Sequence, residues 1–85
     1  MTPDAKEQLR YVVARYYYDR SSVAQTAKTA SQIISMQHKA DEDDVSDACE
    51  FLADKAILQR IQSPLGRSVA YKITADGKLF VERLP

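Results

Sequence analysis

Apolar residues recur at helical spacing over the first third of the chain and at alternate positions near its end. Ala5, Leu9, Val12, Val13 and Tyr16 mark an amphipathic helix from about residue 3 to about residue 19, with Pro3 suited to its first turn and Asp4 and Glu7 to the positive end of its dipole. Ser21 to Lys28 is polar apart from Val23 and Ala24, and reads as a loop with room for a minimal strand. Thr29-Ala-Ser-Gln32 fits a capping box, so a second, short helix is predicted to start there, to bury Ala30, Ile33 and Ile34, and to end near Gln37-His38-Lys39. A third helix, capped by Asp41 or Asp43, carries Val45, Ala48, Cys49, Leu52 and Ala53 on its apolar face and Glu42, Asp43, Ser46, Asp47, Glu50 and Asp54 on the other.

After Lys55 the period changes. Ile57 to Gln62 and Val69 to Ile73 read as two strands joined by the hairpin loop Ser63-Pro-Leu-Gly-Arg-Ser68. Thr74 then caps a last short helix carrying Leu79, Phe80 and Leu84, with Gly77 weakening its first turn. The prediction is one α+β domain spanning residues 1–85, a three-helix core followed by a two-stranded antiparallel hairpin and a short C-terminal helix.

Composition narrows the chemistry. The chain has 85 residues, 45% of them apolar, with only 2 Gly and 3 Pro, which describes a folded domain near the size at which a single core just suffices. Cys49 is the only cysteine, excluding an intrachain disulfide and any cysteine-based zinc site within one chain. The start MTPDAKEQLR is charged where a signal peptide would be apolar, and no apolar run approaches membrane-spanning length, so a cytoplasmic protein without membrane contact is expected. His38, the one histidine, falls in the turn before the third helix with no nucleophile at a spacing that suggests catalysis. Cys49 falls on a buried face, where cysteine is usually a small core residue. The expectation is a protein that is not an enzyme and that has no cofactor and no metal site. Asp41 and Asp43 alternate as in a calcium loop, but Ser46 stands where glycine is required and Leu52 where the bidentate glutamate is required.

Charge is balanced overall, twelve Lys plus Arg against twelve Asp plus Glu, but it is sharply segregated. Seven acidic residues and no basic one lie between Asp41 and Asp54, so the remainder carries twelve positive charges against five negative.

VSDACEFLADKAILQR, residues 45–60, resembles the stretch of winged helix-turn-helix domains in which a recognition helix runs into the first wing strand. YKITADGK, residues 71–78, resembles the second wing strand and the Y-x-[LI]-T-x-x-G step into the next helix, common in MarR-like and PadR-like regulators. The two matches cover about half the chain. The resemblance implies a winged-helix fold and a small double-stranded-DNA-binding transcriptional regulator. It differs at Ala56, where the family usually has glycine, and at the positions resembling base-contacting residues, Glu42, Asp43, Ser46, Asp47 and Glu50.

A carboxylate face is an unfavourable reader of DNA. Two like charges about 6 Å apart repel by about 0.7 kcal/mol even in water, and phosphates on both sides of a groove multiply that over many pairs. DNA contact is therefore expected from Arg67 at the hairpin tip, Arg60 and Lys72 beside it, Lys39 flanking helix two, and Ser46. The alternative from another class is an interaction module that docks a basic protein partner on Asp43, Asp47 and Glu50 and leaves DNA alone. Tyr11 and Tyr18, seven residues apart with Ala14 between, form an outward aromatic stripe, and the resemblance implies a homodimer through it.

Overall fold

The first helix, α1 (Pro3–Asp19), begins at Pro3, as expected, behind a cap that the periodicity passes over: the Thr2 hydroxyl accepts the Ala5 N–H at 3.1 Å. The computed structural model of the chain describes residues 2–62 and 68–84. Beyond α1 come β1 (Gln25–Thr26), α2 (Ala27–Ile34), α3 (Glu42–Asp54), β2 (Leu58–Gln62), β3 (Val69–Ile73) and α4 (Ala75–Glu82). Four helices and a three-stranded antiparallel sheet of order β1-β3-β2 make the chain α+β.

Helix α2 starts earlier than the Thr29 capping box predicts. Its cap is Thr26, held in extended geometry by its place in β1, and the Thr26 hydroxyl accepts the Thr29 N–H at 3.2 Å. Two threonines three residues apart both look like caps, and the strand pairing, invisible locally, selects the first. The helix also ends sooner, at Ile34, and residues 35–39 continue as turns. Ile33 remains 39% exposed, so Ala30, Ser31 and Ile34 form the inner face, not Ile33.

Helix α3 is capped by Asp41, whose carboxylate accepts the Asp44 N–H at 2.9 Å while Asp44 accepts the Asp41 N–H in return. It ends in a Schellman turn, with Ala56 N–H bonded to the Ala53 carbonyl and Ile57 N–H to the Leu52 carbonyl. Ala56 sits at φ 62°, so the chain does adopt the left-handed conformation there without a glycine. An L-residue in that region is strained by about 1–2 kcal/mol. Ala56→Gly is accordingly expected to stabilise the chain by about 1 kcal/mol after the added unfolded-state entropy, checked by the urea unfolding midpoint; a lower midpoint would contradict the assigned turn.

The hairpin pairs Leu58 with Ile73, Arg60 with Tyr71 and Gln62 with Val69. The core joins Leu9, Val13 and Tyr17 of α1 to Ile34, Val45, Leu52 and Leu58, with Tyr71 and Ile73 closing it from the sheet. Helix α1 is the hub, packing on α2, α3, α4 and β3. Among the described residues no helix is long and apolar enough to cross a membrane.

Candidate interaction surface on the third helix

The seven carboxylates of residues 41–54 divide into three groups. Asp41 and Asp44 cap the helix, as above. Glu50 and Asp54, one turn apart at its far end, hold Arg60. Glu42, Asp43 and Asp47 are exposed and make no ion pair among the described residues.

Arg60 reaches α3 because of the turn just described. The chain reverses through Ala56 and runs back as β2, and position 60, two residues beyond the buried Leu58, shares the strand face that looks onto the helix. Its Nε donates to Glu50 Oε2 at 3.2 Å, and its Nη2 donates to Glu50 Oε1 at 3.1 Å and Asp54 Oδ1 at 2.7 Å. Tyr71, directly across the ladder, donates its hydroxyl to the same Glu50 carboxylate. One cation thus partly offsets the segment, leaving minus six where the sequence alone shows minus seven.

The Arg60 N–H donors, then the Tyr71 hydroxyl, hold the Glu50 carboxyl below its ordinary value. Burial, then the bond to Glu50, raises the Tyr71 hydroxyl. A carboxyl depressed on folding contributes stability above its unfolded pKa of about 4.3, and that contribution disappears as pH falls through the lower folded value. Glu50→Gln should therefore lower the urea midpoint at neutral pH by more than it does at about pH 3; an equal loss at both would show that the ion pair carries no net stabilisation.

The other residues expected to meet DNA do not gather round Arg60. Lys72 is half-buried and, one residue on from Tyr71, points to the opposite face of the hairpin. Lys39 is exposed just before the Asp41 cap, and Ser46 is half-buried on α3. Arg67 lies outside the described residues. Among the residues expected to dock a basic partner, Asp43 and Asp47 are open, whereas Glu50 is engaged by Arg60 and Tyr71.

The side of α3 that faces α1 holds contacts that residue spacing does not reveal. The Arg10 guanidinium lies 3.7 Å from the Phe51 ring centroid, and Lys55 approaches the same ring at 5.7 Å. Lys6 and Arg10 of α1 line a small crevice with Asp44 and Asp47, so the free carboxylates have a basic border on that side. Nothing in the spacing of Phe51 distinguishes it from an ordinary edge-of-core aromatic.

The aromatic stripe on α1 is occupied within the chain. Tyr11 packs against Phe80 with ring centroids 6.1 Å apart and donates to Glu7, and Tyr18 donates to Glu82 at 2.9 Å. Ala14 between them is fully buried, so it offers nothing to a second copy. Helix α4 packs on part of this face, and its docking is a long-range event that the spacing of α1 cannot register.

His38 is exposed, and Cys49 is buried beneath Tyr17, where loss of solvent pushes its thiol up to about 12. Among the described residues no three His, Cys, Asp or Glu side chains are grouped to hold a metal ion. Comparison with known proteins returns no match to any family model, curated protein or solved structure.

Proposed function

We propose that the chain is a winged helix-turn-helix domain whose third helix docks a cationic surface of another protein. The fold reading is supported by the element order α1-β1-α2-α3-β2-β3-α4, with the hairpin returning beside α3 and β1 adding a third strand. One observation carries the functional reading. The hairpin cation best placed to offset α3 for a phosphate backbone, Arg60, is bound to Glu50 and Asp54, while Glu42, Asp43 and Asp47 stay exposed. Such a face attracts Lys- and Arg-rich surfaces and repels phosphates.

The test is affinity capture with wild type and with Asp43→Lys plus Asp47→Lys. Glu50 is left intact because its loss would disturb Arg60 and Tyr71. A basic protein retained by wild type and released by the double variant supports docking; retention by both would remove it. Matching thermal melts establish that both are folded.

A second reading, a MarR-like or PadR-like regulator on double-stranded DNA, is favoured by the exposed Lys39 at the entry to α3 and by Lys72 on the hairpin. In that mode Lys39, Lys72 and Arg67 meet phosphates and α3 stays out of the groove. The two readings differ in salt dependence, since only phosphate neutralisation gives duplex affinity that falls steeply with added salt.

A further inference from the structure

The geometry points to a binding site for a small organic anion with a hydrocarbon body, in the groove between α1 and the end of α2. This groove has a volume of about 460 Å³ and lies apart from the α3 carboxylates. Drug-sized ligands occupy cavities of roughly 300–1,000 Å³. Val12, Ile33 and Leu84 supply hydrocarbon and Tyr11 and Tyr16 supply ring surface. Ile33 is the side chain that α2 was expected to bury and leaves 39% exposed.

Charge in the groove selects the ligand. Arg15 is bridged to Asp19 at 3.5 Å and the two cancel. Arg20 has no carboxylate partner among the described residues. Its guanidinium carbon lies over the Tyr16 ring, 4.0 Å from the centroid, and one Nη1–H donates to the Tyr16 carbonyl at 3.4 Å. A guanidinium placed over a ring and bonded to a backbone carbonyl has lost some of its rotamer freedom before any ligand arrives, and its remaining N–H groups form a planar fork suited to two anionic oxygens. Among the Arg, Lys, Asp and Glu side chains of the lining, Arg15 plus Arg20 minus Asp19 leaves plus one. The class that fits is a single carboxylate or sulfonate on an aromatic or branched hydrocarbon about the size of naphthalene.

The test uses two fluorescent probes of similar shape, the anionic anilinonaphthalenesulfonate and the neutral N-phenylnaphthylamine, titrated into folded protein. Wild type should bind one anionic probe per chain, at least about tenfold more tightly than the neutral one, as a charge-assisted bond requires. Arg20→Gln should erase that preference and leave the neutral probe unchanged. Ile33→Glu should weaken both probes by about tenfold or more. Arg20 and Ile33 are both at least partly exposed, and unfolding curves of the variants verify that each keeps its fold. Leu79→Gln, on α4 outside this groove, should change neither affinity. No saturable binding, equal affinity for the two probes, an unchanged preference in Arg20→Gln, or loss on Leu79→Gln would each overturn the assignment.

Discussion

Gly77→Ala is expected to destabilise the chain by about 3 kcal/mol, at the upper end of what overpacking costs. The sign is informative, because alanine normally improves a helix by about 1 kcal/mol over glycine, and Gly77 lies inside α4. A methyl group at this position would sit 2.1 Å from the Ile57 carbonyl oxygen and 2.7 Å from Ile73 Cγ1. The backbone oxygen cannot turn aside. It accepts the Thr74 N–H at 3.1 Å, while the Thr74 hydroxyl that caps α4 accepts the Gly77 N–H at 2.8 Å. To admit the methyl, the first turn of α4 must lift away from the junction between α3 and β2, breaking the cap with it. Gly77 therefore serves close approach, and the weakened first turn expected from its helix propensity is the smaller effect. Urea unfolding measures the change; a midpoint equal to or above wild type would mean that α4 does not dock there.

Tyr17→Ala should cost about 4 kcal/mol, in the range for deleting a buried aromatic ring. Tyr17 is fully buried and meets Tyr71 edge-on with centroids 6.4 Å apart, joining α1 to the sheet. Its hydroxyl donates to the Gln25 carbonyl of β1 at 2.8 Å and accepts from the Cys49 thiol at 3.9 Å. A domain of this length has a total stability on the order of 4–13 kcal/mol, so the loss removes about a third of it or more and should lower the melting temperature by roughly 15–30 °C by circular dichroism. Tyr17→Phe keeps the ring and should lose only about 1 kcal/mol with the hydrogen bond. If Tyr17→Ala melted within a few degrees of wild type, the core would have to be organised differently.

What the sequence made legible is what depends on near neighbours. The limits of α1, α3 and the hairpin strands follow from 3.6-residue and two-residue periods, and Asp41 and Thr74 act as caps because their partners lie three residues away. Residues 16–18, three consecutive tyrosines, show where this stops. Periodicity places Tyr16 inward and Tyr18 outward and passes over Tyr17, yet Tyr17 is the most buried of the three because the sheet closes over it. Tyr16 supports Arg20 beside the groove, and Tyr18 turns to Glu82 of α4.

The same limit governs the candidate site. The exposed carboxylates Asp43 and Asp47 could be read from the helical wheel, but the closure of Arg60 on Glu50 and Asp54 requires the hairpin register. The left-handed turn at Ala56 that sets this register had no glycine to announce it. Arg60 and Lys72, grouped by their nearness in sequence to the hairpin, are separated by the alternation of the pleat.

Fluorescence anisotropy of a labelled mixed-sequence duplex, titrated with wild-type protein at low salt, tests most directly whether α3 is a protein-docking face. Non-specific DNA binders hold duplex with Kd values of roughly 10⁻⁴–10⁻⁶ M even at physiological salt, and more tightly when salt is lowered. The expected result is no saturable binding up to about 100 μM protein, with no gain on further dilution of salt. Binding in the micromolar range, weakening steeply as salt is added, would contradict the docking role and place the chain on DNA.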